Sequence, residues 1–301
     1  MEDPGCPRRR RPAKMLGWMF FASTLICIGE PVAISPRWQV NFPPAANGKA
    51  SVATAVPING DSLLVSVVAS GADSANPALR FGNNPVPAKV VGYDPVSRLG
   101  FFKVNGSISP KPTEWLEEAG GSTGGSLQAI APGGIVKCRS TGWVKQVGGK
   151  ILPLALLRVN FDRAVPPPGT PLFDESGRVA AIVFQESGSG NTGFAIPAEA
   201  VHRVQRDVCG GGRLVRGWLG LSLRAENQSP QIVRVLPNSP AAAVGIRPAD
   251  VLVSVGSRQI SDYADAANAF FYLIPGQAVR VKLLRGVDQL DFTLTPTRVP
   301  E

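Results

Sequence analysis

Residues 235–260 read VLPNSPAAAVGIRPADVLVSVGSRQI, and this stretch decides how the C-terminal third is built. The stretch opens on the last residues of the apolar run PQIVRVL. Ser239-Pro240 follows in the form of a helix N-cap with proline at the first helical position. The segment AAAV then makes about one turn before Gly245 closes it. DVLVSVG and RQI return to the β-rich composition of strands. Working outward, WLGLSL and PQIVRVL read as strands before it. Behind it, Ser261 or Asp262 caps a longer helix, YADAANAFFYL, which stops at Pro275-Gly276. AVRVKLL and LDFTLTP complete the unit, expected over residues 217–298.

Upstream, the chain is a series of short runs rich in Val, Ile and Phe: SVATAVPI, DSLLVSVVAS, PAKVVGYD, LGFFKV, GGIVKCRS, LALLRVNF, GRVAAIVFQ and GFAIP. Gly, Pro, Asn and Asp separate them, which predicts an antiparallel barrel or sandwich. Residues 36–46 read as a polar connector, so this domain is expected over 46–208. PAEAVHRVQRDV is a short helix opened by Pro197 and ended at Cys209 and its glycines. Residues 209–216 make the clearest linker. With 301 residues, 33 glycines and 28 prolines, two mainly β domains are the expected organisation.

The net charge of +9 is partly terminal, because residues 1–14 carry Arg8, Arg9, Arg10, Arg11 and Lys14 against Glu2 and Asp3. The remaining cations are dispersed with few aromatics beside them, so nucleic acid is not an expected partner. Residues 15–29, MLGWMFFASTLICIG, are free of charge and short for a membrane span. Residues 1–35 therefore read as a basic leader, either a signal peptide or a short membrane anchor with its basic end cytoplasmic. Export is therefore expected, with the bulk of the chain outside the cytoplasm. Cys6 and Cys27 belong to this leader, and Cys138 and Cys209 are expected as two unlinked thiols.

GWLGL, then VLPNSPAAAVGIRPADVLVSVGSRQI, then IPGQAVRVKLLRG resembles a PDZ domain of the circularly permuted bacterial kind. Ala249 departs from the pattern, which usually has glycine before Asp250. Upstream, KVVGYDPVSRLGFFKV resembles the x-V-V-G-x-D-P-x-x-D-L-A-L-L-K stretch of the HtrA/Deg envelope serine proteases. GRVAAIVFQ and GFAIPAEAV resemble the strands and helix that close their barrel. The resemblance implies a trypsin-like double β-barrel followed by a PDZ domain.

It also implies where a Ser-His-Asp triad and an oxyanion hole would lie. The motif G-N-S-G-G-P-L aligns on residues 166–172 of AVPPPGTPL, with Pro168 at the serine position. The oxyanion donors would be the N–H groups of residues 166 and 168, and proline has none. The second Asp of D-P-x-x-D-L is Arg98, and the histidine of T-N-x-H-V-V aligns on Val67 or Val68. The one histidine, His202, reads as a helix-surface residue. Ser66, Ser126 and Lys145 are the residues for a Ser–Lys alternative, although no spacing points to one. No cofactor or metal is expected. GSGNTG at 188–193 reads as a hairpin loop, since no helix opens after it.

What the resemblance leaves is binding. Peptide C-termini add as a strand to a PDZ sheet edge, with the carboxylate on backbone N–H groups. Those groups are expected in Trp218, Leu219, Gly220 and Leu221, with Ala267 and Phe271 lining the terminal side-chain pocket. The expected function is that of an exported, non-catalytic relative that binds protein C-termini or extended segments. The alternatives are an endopeptidase with another constellation and a regulatory partner of an active protease, with self-association a further expectation.

Overall fold

The computed structural model describes Met1 and residues 38–46, 48–58, 62–106, 113–117, 124–131, 134–147, 150–188, 190–224 and 230–299. The leader expected over 1–35 and its charge-free run 15–29 lie outside the described residues after Met1. The first sheet comprises β1 (Trp38–Phe42), β2 (Ser51–Pro57), β3 (Leu63–Val67), β4 (Ala78–Phe81), β5 (Asn84–Val86), β6 (Ala88–Asp94) and β7 (Leu99–Val104). Its strands lie antiparallel in the order β5-β4-β1-β2-β3-β7-β6.

β1 corrects the expected polar connector. In WQVNF the apolar residues alternate with polar ones, and Trp38, Val40 and Phe42 are buried between β2 and β4. Burying each contributes about 1.5–3 kcal/mol, enough to recruit so short a strand. The barrel region therefore begins at Trp38, ahead of residue 46.

The second barrel is closed, in the order β10-β13-β12-β11-β8-β9. Its strands are β8 (Ser126–Ala131), β9 (Gly134–Val147), β10 (Lys150–Phe161), β11 (Pro171–Phe173), β12 (Val179–Glu186) and β13 (Thr192–Pro197). Closure pairs every strand on both sides and leaves no free edge. Helix α1 (Ala198–Gly211) lays Val201, Val204 and Val208 into a core shared with Val65, Val67 and Phe101 of the first sheet and Ile182 and Ile196 of the second barrel. It continues through Gly210 and Gly211, two residues beyond the expected stop. The left-handed Gly212 ends it, donating its N–H to the Val208 carbonyl.

The last part contains β14 (Leu221–Leu223), β15 (Ile232–Val235), α2 (Pro240–Ala243), β16 (Val251–Val255), β17 (Arg258–Gln259), α3 (Tyr263–Phe271), β18 (Val279–Arg285) and β19 (Asp288–Leu294). β14 pairs with β15, and a four-stranded sheet runs β17-β16-β18-β19. The caps are the expected ones: Ser239 Oγ accepts from the Ala242 N–H, and the Asp262 carboxylate accepts from the Asp265 N–H. Ala249 adopts φ +73°, the conformation that the glycine of the family pattern takes without strain.

This part is joined to the barrels by buried contacts the sequence did not announce. Arg203 of α1, almost fully buried, donates to the carbonyls of Val215 (2.8 Å) and Leu273 (3.0 Å) and pairs with Asp207 (2.6 Å). Asn268 Oδ1 accepts from the Ala155 N–H of β10 at 3.1 Å. Lys145 of β9 pairs with Asp265, and Arg258, stacked on Tyr272, pairs with Glu199 of α1. The described barrel residues and residues 217–299 thus form one packed body.

Candidate functional site

The positions expected to carry a triad converge on the seam between the first sheet and the second barrel. Residues 162–170 join β10 to β11 and lie against β2. The Thr54 N–H donates to the Pro168 carbonyl at 2.8 Å, and the Gly169 N–H donates to Val183 O of β12 at 2.7 Å. The Thr54 and Thr170 hydroxyls lie 3.1 Å apart, and Thr170 Oγ1 donates to Pro167 O at 2.7 Å. Gly169 has φ +81°, and a Cβ there would collide with the Thr54 carbonyl. Only glycine allows this loop to seat so closely on β2.

Val68 follows β3 and is 1% exposed, its side chain packed with Leu64, Leu79 and Phe102 in the core of the first sheet. Val67 faces the other way, into the core beneath α1. The Val68 N–H donates to the Arg98 carbonyl at 2.8 Å, so these two positions are neighbours through the backbone. The Arg98 side chain does not point at an imidazole. Its Nη2 donates to Gln185 Oε1 at 2.8 Å, its guanidinium lies 3.9 Å from the Phe184 ring centroid, and its Nε is buried without a partner. Burial lowers the guanidinium pKa from its ordinary value, and Tyr93 opposes that shift. Arg98, Val68 and Pro168 supply neither a nucleophile, nor a base, nor a carboxylate.

The Ser–Lys alternative is not assembled. Ser66 Oγ is fully buried and donates to Thr54 O at 2.7 Å, Ser126 stands exposed at the start of β8, and Lys145 is paired with Asp265. His202 lies on α1 with its ring 5.5 Å from that of Trp115, edge-on. It is half-buried and not on the helix surface, because Trp115, anchored by its Nε1–H to Pro57 O, covers it. Burial pushes its pKa below the ordinary value. Cys138 and Cys209 are both free thiols, and burial pushes the Cys138 thiol up to about 12. No group of three metal-ligating side chains occurs among the described residues. A cavity of about 640 Å³ opens in the second barrel beside Ser126, Ser140, Leu157 and Arg178, with none of Val68, Arg98 or Pro168 in its wall.

The second candidate is the groove expected along the edge of β14, where Leu221 and Leu223 share a core with Phe270 of α3. Among the described residues β14 pairs on one side only, with β15, so its other edge carries unused pairing capacity. Trp218 departs from expectation: its N–H donates to Thr297 O at 2.7 Å, and its carbonyl accepts from the Thr297 N–H. The next carbonyls are also engaged, Leu219 O by the Ala241 N–H and Gly220 O by the Leu236 N–H. Gly220 has φ +78° and backs onto the Ser239 cap so tightly that a Cβ would strike it. The loop is therefore fixed by its carbonyls, with its N–H side turned the other way.

Phe271 is not brought to this groove. It is 1% exposed and packs into the barrel core with Leu154, Leu156, Val201 and Val204. The helix has two apolar sides: Ala266 and Ala269, with Leu273 just past its end, face the β16–β18 core, and Phe271 packs into the barrel core. Phe270, three residues from Ala267 and so on the same face, is half-buried against the cluster that holds Leu219 and Leu221. Spacing alone gave Phe271, four residues from Ala267, to that face and left Phe270 unnamed.

A closed barrel packed against a second antiparallel sheet and followed by a small α/β unit is the architecture of a trypsin-like fold with an added domain. Comparison with known proteins sharpens this. Residues 217–295 match the PDZ domain family. A probable periplasmic serine endoprotease DegP-like from Chlamydia trachomatis is 26% identical over 241 residues, covering 71% of this chain and 47% of its own length. Its counterpart from Hahella chejuensis is 27% identical over 263 residues, covering 77% and 54%. The chain spans about half the length of the curated relatives it matches. The solved HtrA-type protease AlgW with tripeptide superimposes with a TM-score of 0.62 at 22% identity, covering 89% of this chain and 95% of that one. The serine endoprotease of Yersinia pestis gives 0.53 at 18%, covering 88% and 95%. The chain thus resembles the HtrA/Deg family of trypsin-like proteins over most of its length, and its residues 217–295 match a PDZ domain.

Proposed function

We propose that this chain is an exported, non-catalytic member of its family that binds C-termini or extended segments of envelope proteins through its PDZ domain. The observation that carries the reading is the seam itself. Val68 fills a core, Arg98 is committed to Gln185 and Phe184, and Pro168 offers no N–H and presents its carbonyl to Thr54. A trypsin-like reaction needs a hydroxyl beside a base and donors aimed at an oxyanion; the seam hydroxyls of Ser66, Thr54 and Thr170 bond to carbonyls or to each other, and the one histidine, His202, lies edge-on to Trp115. The periplasmic naming of the relatives supports export.

The AlgW structures with a tripeptide and with a decapeptide support short peptides as ligands. The ligand adds along the free edge of β14, with its carboxylate on the N–H groups of Leu219 and Gly220. Leu221, Ala267 and Phe270 line the pocket for its last side chain. The barrels act as a frame that holds the groove in one orientation.

Two measurements on the full chain test this. A fluorescent peptide with a free C-terminus is expected to bind, and the same peptide amidated at its C-terminus is expected to bind much more weakly. A fluorophosphonate probe is expected to label nothing. A labelled band lost on mutating one serine would establish the endopeptidase reading that the relatives' names suggest.

A further inference from the structure

We infer that the β14 groove selects acidic peptides, those with carboxylates at the penultimate position (−1) and at −3, counting the terminal residue as 0. The inference rests on the peptide-binding reading above and goes beyond it to the chemistry of the ligand. Side chains along a strand alternate between faces. On β14, Leu221 and Leu223 pack against the domain core, so Ser222 and Arg224 belong to the opposite face. Ser222 pairs across β15 with Arg234, which places the two side by side on that face. Arg224 donates its N–H to Gln231 O, which holds the end of β14 in place.

A peptide paired antiparallel to β14, with its carboxylate at Leu219-Gly220, must alternate in the same way. Residues 0 and −2 face α3 and the core. Residues −1 and −3 face the side of Ser222, Arg224 and Arg234. The peptide backbone then lies about 10 Å, two strand spacings, from that of Arg234, a gap that a glutamate and an arginine side chain span together. Residue −3 lies level with Arg224, at the far end of β14.

Among the described residues of β14 and β15, the charge has one sign. Arg224 and Arg234 are both exposed, and residues 212–224 and 230–236 contain no Asp or Glu. Glu226 belongs to the segment 225–229, outside the described residues. Two other arginines of the domain are engaged, Arg285 with Asp250 and Arg258 with Glu199. Arg224 and Arg234 thus form a solvated pair beside the edge where an added strand would lie, and acidic side chains complement them.

The test titrates the full chain with two labelled peptides identical except at two positions, one ending -Asp-Ala-Glu-Val and the other -Asn-Ala-Gln-Val. The acidic peptide is expected to bind about 3–10-fold more tightly at low salt, the scale for two exposed charge pairs. That preference should shrink to within about twofold near 0.5 M salt, where the Debye length is only a few ångström. It should disappear in the Arg224→Gln/Arg234→Gln variant and persist in Arg224→Lys/Arg234→Lys. Equal binding of the two peptides, or a preference unchanged in the Gln variant, overturns the selectivity. Binding of neither peptide overturns the peptide-binding reading itself, so the two failures are distinct.

Discussion

Replacing Phe271 by alanine separates the two roles that sequence spacing merged on α3. The ring is 1% exposed, lies among Leu154, Leu156, Val201 and Val204, and meets Tyr272 edge-on at 5.1 Å. Truncating a buried phenylalanine removes its transfer free energy and leaves a cavity, typically 3–5 kcal/mol in all. The polar junction survives, because Arg203, Lys145 and Asn268 keep their partners. We therefore expect a loss of about 3–4 kcal/mol, toward the lower part of that range. Urea unfolding of the full chain, followed by tryptophan fluorescence and circular dichroism, measures it. Peptide affinity should stay within about twofold of the parent, because the free edge of β14 is untouched. Phe270→Ala should do the reverse, weakening peptide binding by about tenfold or more, as loss of a pocket-lining aromatic does. A Phe271→Ala chain that keeps its stability within about 1 kcal/mol yet no longer binds peptide would refute the assignment of that ring to the barrel core.

Three further outcomes follow from particular residues. Ala249 at φ +73° pays about 1–2 kcal/mol for a left-handed conformation. Glycine recovers part of this, so Ala249→Gly should stabilise by about 0.5–1 kcal/mol, read as a higher Tm. Asp250 is 1% exposed and accepts from Arg285 Nε and Nη2 and from the Arg247 N–H, which hold its pKa below the usual carboxylate range. Its contribution is complete above the unfolded pKa near 4 and is lost as pH falls through the lower folded value. Asp250→Asn should cost about 1–2 kcal/mol at neutral pH and flatten the acid limb of the stability curve. Burial likewise lowers the His202 pKa from its ordinary 6.5, opposed by its bond with Gln205 and by Glu117 and aided by Arg206. Stability is then full above about pH 6.5 and declines as pH falls through the lower folded value, a slope that His202→Phe should remove.

What the sequence disclosed was local. The Ser239-Pro240 cap and the β-rich runs of β2, β3 and β18 each obey short-range chemistry, so they were legible without tertiary information. β1 was missed because five residues with two polar members look like a connector until flanking strands bury Trp38, Val40 and Phe42. Arg203 gave no signal, since an arginine on a polar helix normally faces water. Here its guanidinium is needed by two carbonyls that arrive from Val215 and Leu273, far along the chain. Phe271 was given the wrong face because i,i+4 spacing shows that it shares a side with Ala267 without showing what that side meets. Trp218 was given a free N–H because Thr297, its partner, is separated from it by almost the whole domain. The AVPPPGTPL loop was legible only as a loss of chemistry; its seating on Thr54 required the fold.

The central claim is that the seam holding Val68, Arg98 and Pro168 performs no hydrolysis. Turnover of casein by the native chain and by its Pro168→Ser variant, measured beside an active HtrA-type protease, tests it most directly. The account predicts no turnover above the buffer blank in either chain, since the variant gains a hydroxyl but still lacks a base, a carboxylate and the N–H of residue 166. Hydrolysis by the native chain, or its appearance in the single variant, would contradict it.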